Sequence, residues 1–375
     1  MKFARVAAAI FVFAIGNVNA AEVLEVGLSV PDVVYSENVD IGFFKSSRKS
    51  ENGGKYRFSV NVPNDYDPNK AYPLHVILHG GVDRPKPTGR KLVPRYLKNM
   101  AQEDVISLFP TAWRKAKWWQ QKQLDNIDQQ IEWIKQRYHI DTNKILLLGL
   151  SDGGHGSYYI AAHQPSKFAG FVPMLGNIFV LVEHNGAEHQ TYINNLLNKP
   201  IFAVNATKDE LYPIQHVDSF IKVLQDADAN IKYRKVDSGH FTTKWFKDVK
   251  AEVADFTRET VRNPFPDHII WQVDEKNSHP RIHWLHIDKL ISGDTHILEL
   301  NKKNNEVTVK AENIKGLTLL LSQQHFDFQS PIKVTVNGKV LFDSKVTASE
   351  IIQNKWYEKD KDVNSLYQAE IQLSL

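Results

Sequence analysis

Apolar positions recur along this chain with two periods. Tyr56-Arg57-Phe58-Ser59-Val60-Asn61-Val62 alternates at period two, which buries one face of a strand and wets the other. Leu74-His75-Val76-Ile77-Leu78, Val105 to Phe109, Ile145 to Leu148, Phe168 to Leu175, Ile201 to Val204 and Ile231 to Val236 are shorter apolar-rich runs that predict core strands. Between them the period lengthens. Leu124, Ile127, Ile131, Ile134 and Tyr138 fall on one helical face, and further helices are predicted near Tyr96 to Ala101, over Tyr158 to His163 as far as Pro165, near Tyr192 to Leu197, from about Pro213 to Ala227, and from about Lys244 to Val261. Strand and helix alternate throughout 72–262. That order predicts an α/β fold, a doubly wound and mostly parallel sheet with its ligand site at the carboxyl ends of the strands.

The pattern differs at both ends. Residues 22–56 mix short apolar pairs with turn residues and read as leading antiparallel strands joined by a loop at Ser50 to Gly54. After Asn263-Pro264-Phe265-Pro266 the helical period disappears. Short runs at Ile269 to Val273, His283 to Ile287, Val307 to Ala311, Leu317 to Leu321 and Ile332 to Val336 predict a small, mostly β domain, with Asn337-Gly338 marking a tight hairpin. At the front, Lys2 and Arg5 precede nine apolar residues, Ala7 to Ile15, and Val18-Asn19-Ala20 supplies small residues for cleavage. The expected organisation is a signal peptide over 1–20, a catalytic domain over 21–263 and a β-rich domain over 264–375, with export to the periplasm or medium. Nine apolar residues are too few to span a bilayer, which takes about 20, so no stable membrane insertion is expected.

Composition narrows the chemistry. Net charge is +3 and falls to +1 once residues 1–20 leave with Lys2 and Arg5, which gives no reason to expect a nucleic-acid partner. The absence of cysteine excludes disulfides, thiolate metal sites and a cysteine nucleophile. Neither a His-Glu-x-x-His zinc motif nor a phosphate-cradling loop occurs, and no metal and no cofactor are expected.

The strand of Ile145 to Leu148 runs into Gly149-Leu150-Ser151-Asp152-Gly153, a Gly-x-Ser-x-Gly sequence at a strand-to-helix corner. Glycines on either side permit the sharp turn that pushes a serine side chain out at the sheet's edge, where a nucleophile belongs. A serine hydroxyl needs a base, the base an orienting carboxylate, and the reaction a set of donors for the oxyanion. His240, following the last strand of the α/β unit, is the candidate base; His155, His163 and His216 are rivals placed on helices. Asp209, just past the Ile201 run, is the candidate carboxylate, with Glu210 and Asp237 as alternatives. The oxyanion donors are expected from the main-chain N–H of Asp152 and from the turn His79-Gly80-Gly81, where side chains would obstruct the approach. Trp118 and Trp119 are candidate walls of a substrate pocket. Arg84, Arg90 and Arg95, in a basic loop over Val82 to Pro94 and its edge, are candidate substrate contacts.

On His79-Gly80-Gly81, Asp141 through Gly154, Gln164 through Gly170, Asp209 and His240, the chain resembles the α/β-hydrolases, in particular secreted esterases of the polyhydroxybutyrate depolymerase-like, feruloyl and acetylxylan esterase-like group. Prolyl oligopeptidase-type peptidases share much of this order. The resemblance covers roughly 56–262 and implies a Ser-His-Asp serine hydrolase of small-molecule or polymer esters. Asp152, where such esterases often carry an apolar or amide residue, and the long basic loop after Gly81 depart from it. A serine peptidase and a non-catalytic binding protein on the same scaffold are the competing readings, and the β-rich tail resembles appended modules for which carbohydrate contact is an expectation.

Overall fold

A computed structural model of the chain describes residues 34–49, 55–84, 95–113, 116–182, 189–275, 280–293 and 295–375. The expected signal peptide over 1–20, the loop at 50–54 and residues 85–94 of the basic loop, Arg90 among them, lie outside the described residues. Pro31–Leu375 group as one compact unit.

An eight-stranded sheet dominates the first two thirds. β1 (Gly42–Lys49) and β2 (Lys55–Val62) form an antiparallel pair, and β2 continues antiparallel to β4 (Ile106–Pro110). β3 (Tyr72–Leu78), β4, β5 (Ile140–Leu150), β6 (Gly170–Met174), β7 (Ile201–Ala206) and β8 (Ile231–Val236) run parallel, in the spatial order β1-β2-β4-β3-β5-β6-β7-β8. The helices between them are α1 (Arg95–Lys98), α2 (Gln121–Lys135), α3 (Asp152–His163), α4 (Phe179–Val182) and α5 (Ile214–Asp226), and α6 (Phe246–Glu259) follows β8. Apart from the short α4, which was not expected, these elements occur where periodicity places them, with boundaries shifted by a few residues. β5 starts at Ile140, ahead of the apolar run of Ile145 to Leu148, so Asp141-Thr142-Asn143 is part of the strand.

β5 explains why its run is continuously apolar. Ile145 and Leu147 enter one apolar cluster with Leu74, Val76, Ile131 and Tyr159; Leu146, Leu148 and Leu150 enter another with Ile77, Val172, Phe202 and Val249. Alternate residues thus leave the strand on opposite faces, and both faces are covered. Burying a leucine contributes about 2 kcal/mol, so a polar residue in this strand would cost that and its own desolvation.

Beyond residue 263 two smaller sheets follow. β9 (His268–Val273), β12 (His296–Lys303), β13 (Glu306–Glu312), β15 (Ile332–Val336) and β16 (Lys339–Ser344) form one; β10 (Arg281–Ile282), β11 (Leu285–Leu290), β14 (Ile314–Leu321) and β17 (Ala369–Ser374) form the other. Asn337 and Gly338, with φ of 47° and 81°, make the two-residue hairpin that pairs Val336 with Lys339. These sheets share an apolar cluster of their own, centred on Trp271, Trp284 and Leu319. All the tryptophans of this region, with Trp356, are buried, so none offers a flat exposed ring to a sugar. One helix, α7 (Glu350–Asp360), was not expected. It shows no continuous apolar stripe, since Ile351 is exposed and only Gln353 and Trp356 are buried, and what starts it is local: the Ser349 hydroxyl accepts the N–H of Ile352. The buried Arg262–Asp362 ion pair, at 2.6 Å, ties the end of the first region to the second.

Candidate active site

Ser151 occupies the corner between β5 and α3 with φ 56° and ψ −118°, a conformation costly for a non-glycine residue. Its backbone is fixed from both directions: its N–H donates to the Met174 carbonyl at 2.8 Å, and its carbonyl accepts the N–H of His155 at 3.0 Å. The flanking glycines are a steric necessity. A Cβ on Gly149 would lie 1.9 Å from the Gly153 carbonyl oxygen, and one on Gly153 would lie 2.3 Å from the Leu78 carbonyl oxygen. Only hydrogen fits at either place, which is the physical content of the Gly-x-Ser-x-Gly spacing.

The loops after β7 and β8 bring the other two candidates to this corner. Ser151 Oγ lies 2.8 Å from His240 Nε2, and His240 Nδ1 lies 2.8 Å from Asp209 Oδ2. Asp209 Oδ1 accepts the N–H groups of Leu211 and Tyr212 at 2.9 and 2.8 Å, so both carboxylate oxygens have partners. The Asp209 and His240 side chains are 1% and 6% exposed, which removes water from the relay and strengthens it. A serine hydroxyl, an imidazole and a carboxylate so arranged can move a proton from oxygen to nitrogen while the carboxylate steadies the imidazolium.

The alternative residues lie elsewhere or play other parts. Asp237 is exposed and paired with Lys208, and His216 lies on the surface of α5. His163 is buried between the carbonyls of Tyr159 and Gln190. His155 is fully buried; its Nδ1 lies 3.6 Å from Asp152 Oδ1, an electrostatic distance and too long for a hydrogen bond. Glu210 reaches the histidine from another side. Its Oε2 accepts the main-chain N–H of His240 at 2.7 Å, and a Cβ on Gly239 would lie 2.5 Å from its Oε1. Glycine at 239 is what allows the carboxylate to close on the loop.

The turn after β3 stands directly against the serine. A Cβ on Gly80 would lie 2.8 Å from Ser151 Cβ and 3.4 Å from its Oγ, so the main chain approaches the hydroxyl as closely as glycine permits. Gly81 has φ +73°, in the region that favours glycine. His79 pins the turn from beneath. Its Nε2 accepts the Ala112 N–H at 3.0 Å, which leaves the proton on Nδ1, 2.9 Å from the Gly80 carbonyl, and burial pushes its pKa down to about 4. Trp113 stacks on the His79 ring at 3.9 Å.

Two features differ from the sequence reading. Asp152 was expected to contribute only its main-chain N–H, yet its carboxylate accepts the Val82 N–H at 2.9 Å and so ties the serine's helix to the glycine turn. Burial works against its charge, but His155 and the amides of Val82 and Gly81 more than offset this and hold its carboxyl below the usual range. Trp118 and Trp119 are the second correction. Neither walls an open pocket: Trp118 is fully buried, its Nε1–H donating to the His79 carbonyl at 2.9 Å, with Gly156 leaving room for it, and Trp119 is 2% exposed with its ring near-perpendicular to that of His155 at 5.6 Å. Both support the turn and helix from behind. Among the described residues no group of three or more His, Cys, Asp or Glu is placed to hold a metal, and no helix is long and apolar enough to cross a membrane.

Residues 92–243, which include Ser151, Asp209 and His240, match the model of the dienelactone hydrolase family. The fold is that of an α/β-hydrolase. The chain is 28% identical over 182 residues to a bifunctional acetylxylan esterase/xylanase of Neocallimastix patriciarum, covering 48% of the chain and 25% of that protein. It is 26% identical over 159 residues to dipeptidyl-peptidase 5 of Porphyromonas gingivalis, covering 39% and 23%. The chain thus spans about a quarter of the length of these relatives. Among solved structures, a thermostable esterase aligns with a TM-score of 0.47 at 22% identity, over 59% of this chain and 63% of that one.

Proposed function

We propose that the protein is a serine hydrolase that cleaves carboxylic esters through an acyl-enzyme on Ser151. The observation that carries this reading is the continuous relay of 2.8 Å contacts from Ser151 Oγ through His240 to Asp209, at a strained corner beside the glycine turn. In the proposed reaction Ser151 Oγ attacks the ester carbonyl carbon and its proton passes to His240 Nε2. The tetrahedral oxyanion takes hydrogen bonds from the Asp152 N–H and from the Gly80-Gly81 turn. Each such donor lowers the barrier by about 3 kcal/mol. Collapse breaks the bond to the alcohol oxygen, which takes the proton back from the imidazolium, and water then repeats the sequence on the acyl-enzyme. Residues 264–375, with their separate apolar cluster, are proposed as a domain distinct from the catalytic one, which ends near residue 263.

Turnover of p-nitrophenyl acetate against a peptide anilide tests the reading. Ester turnover lost in Ser151→Ala supports it. Anilide turnover exceeding ester turnover would turn it into a peptidase, and hydrolysis by neither would leave a binding role for the scaffold.

A further inference from the structure

Few large apolar side chains among the described residues are exposed, and two of them sit on the loops that bring Asp209 and His240 to Ser151. Phe241 follows His240 directly and is 69% exposed; Leu211 lies two positions after Asp209 and is 49% exposed. Phe241 packs into none of the three apolar clusters. Its ring centroid stands 5.5 Å from that of His240, with the planes inclined at 73°. Tyr212 flanks the imidazole at 5.3 Å, but its ring also packs against that of His155 at 5.0 Å, so it belongs to the support. Glu210, by binding the His240 N–H, fixes the main chain from which Phe241 projects. The phenyl group is thus carried on a main chain fixed at the preceding residue, and most of it is exposed to solvent.

The proton relay decides which part of a substrate meets that face. His240 Nε2 must hand its proton to the departing oxygen, so that oxygen comes within hydrogen-bonding distance of the imidazole. The carbonyl oxygen lies on the other side, toward the Gly80 turn that abuts Ser151. What is attached to the departing oxygen consequently extends over the histidine loop, where Phe241 presents an exposed apolar ring. We propose that Phe241 is a specificity-determining residue that receives the alcohol portion of the ester, favouring alcohols that present a flat apolar ring face, such as an aryl ring or the C–H face of a pyranose. This inference rests on the ester-hydrolase reading and adds the leaving-group class to it.

The test compares kcat/KM of the full chain and of Phe241→Ala and Phe241→Trp on acetates that share one acyl group: ethyl acetate, phenyl acetate and an acetylated pyranoside. Phe241→Ala is expected to lose about fivefold to tenfold on one or both ring-bearing esters, to stay within about twofold on ethyl acetate, and to be restored by Phe241→Trp. Loss on phenyl acetate alone assigns an aryl alcohol, and loss on the pyranoside alone a sugar. Ser151 labelling by a fluorophosphonate at an unchanged rate in Phe241→Ala is expected with either. Equal loss on all three esters, slowed labelling, or no loss on any overturns the proposal while leaving the hydrolase reading intact. Absence of any Ser151-dependent ester turnover overturns both.

Discussion

The Glu210 carboxylate accepts the main-chain N–H of His240 at 2.7 Å, while the neighbouring Asp209 carboxylate meets the imidazole of the same residue at 2.8 Å. Adjacent acids of one loop thus hold one histidine by its backbone and by its ring. Removing the Glu210 acceptor leaves a partly buried N–H unpaired, a cost of about 1–3 kcal/mol, and frees the loop. Glu210→Ala is expected to lower kcat about tenfold with little change in KM, whereas Glu210→Gln keeps an acceptor oxygen and most of the rate. Steady-state kinetics on one ester with the two variants side by side checks this.

The choice among the acidic residues is tested separately. Asp209→Asn keeps the shape but can set the imidazole in the wrong tautomer, and kcat should fall by about four orders of magnitude. Asp237, exposed and paired with Lys208, should be replaceable by Asn with a change of less than about twofold. A larger effect at 237 than at 209 would reverse the assignment.

Glycines at the corner should separate folding from catalysis. At Gly149 a Cβ would overlap the Gly153 carbonyl at 1.9 Å, so Gly149→Ala forces main chain to move and should cost about 4 kcal/mol or more of stability, read as a lowered Tm. At Gly80 the Cβ would meet Ser151 Cβ at 2.8 Å and the Leu150 carbonyl at 2.9 Å, where the substrate carbonyl must come. Gly80→Ala is expected to cost about 10²–10³ in kcat, through the oxyanion donors, with a smaller loss in Tm than Gly149→Ala.

Why these residues were legible and others were not follows from the range of the interactions involved. Ser151, Asp209 and His240 each follow a run of strand residues, and a parallel sheet gathers the ends of its strands at one edge, so period and order alone place them near one another. Gly149 and Gly153 carry their meaning locally, in the corner itself. The roles of Glu210 and of the Asp152 carboxylate depend on a partner 30 and 70 positions away, reached only through tertiary packing. The same holds for Trp118, whose indole donates across 39 positions to His79, so an adjacent pair of tryptophans gives no clue to which way either ring faces. Helix α7 carries no apolar stripe in the sequence; its cap at Ser349 starts it, and the buried Gln353 and Trp356, with the partly buried Ile352, hold it against its own sheet.

Stability should fall in mild acid. Burial pushes His75 and His79 down to about 4 from an ordinary value near 6.5. Between those values the unfolded chain takes up protons that the folded chain refuses, so stability is full above about pH 6.5 and is lost as pH falls toward 4, by about 1.4 kcal/mol per pH unit for each group. Denaturant unfolding at pH 7.5, 6 and 5 is expected to show this slope. A neutral replacement, His75→Gln, should lower stability at pH 7.5 but reduce the slope by one proton.

Activation of the Ser151 hydroxyl by His240 is the step on which catalysis here depends. Mass measurement of the intact folded chain after exposure to a fluorophosphonate tests this most directly. One adduct per chain, mapped to Ser151, absent in Ser151→Ala and formed far more slowly in His240→Ala, is the predicted result. A folded chain that takes up no label, or one labelled equally fast without His240, would contradict it.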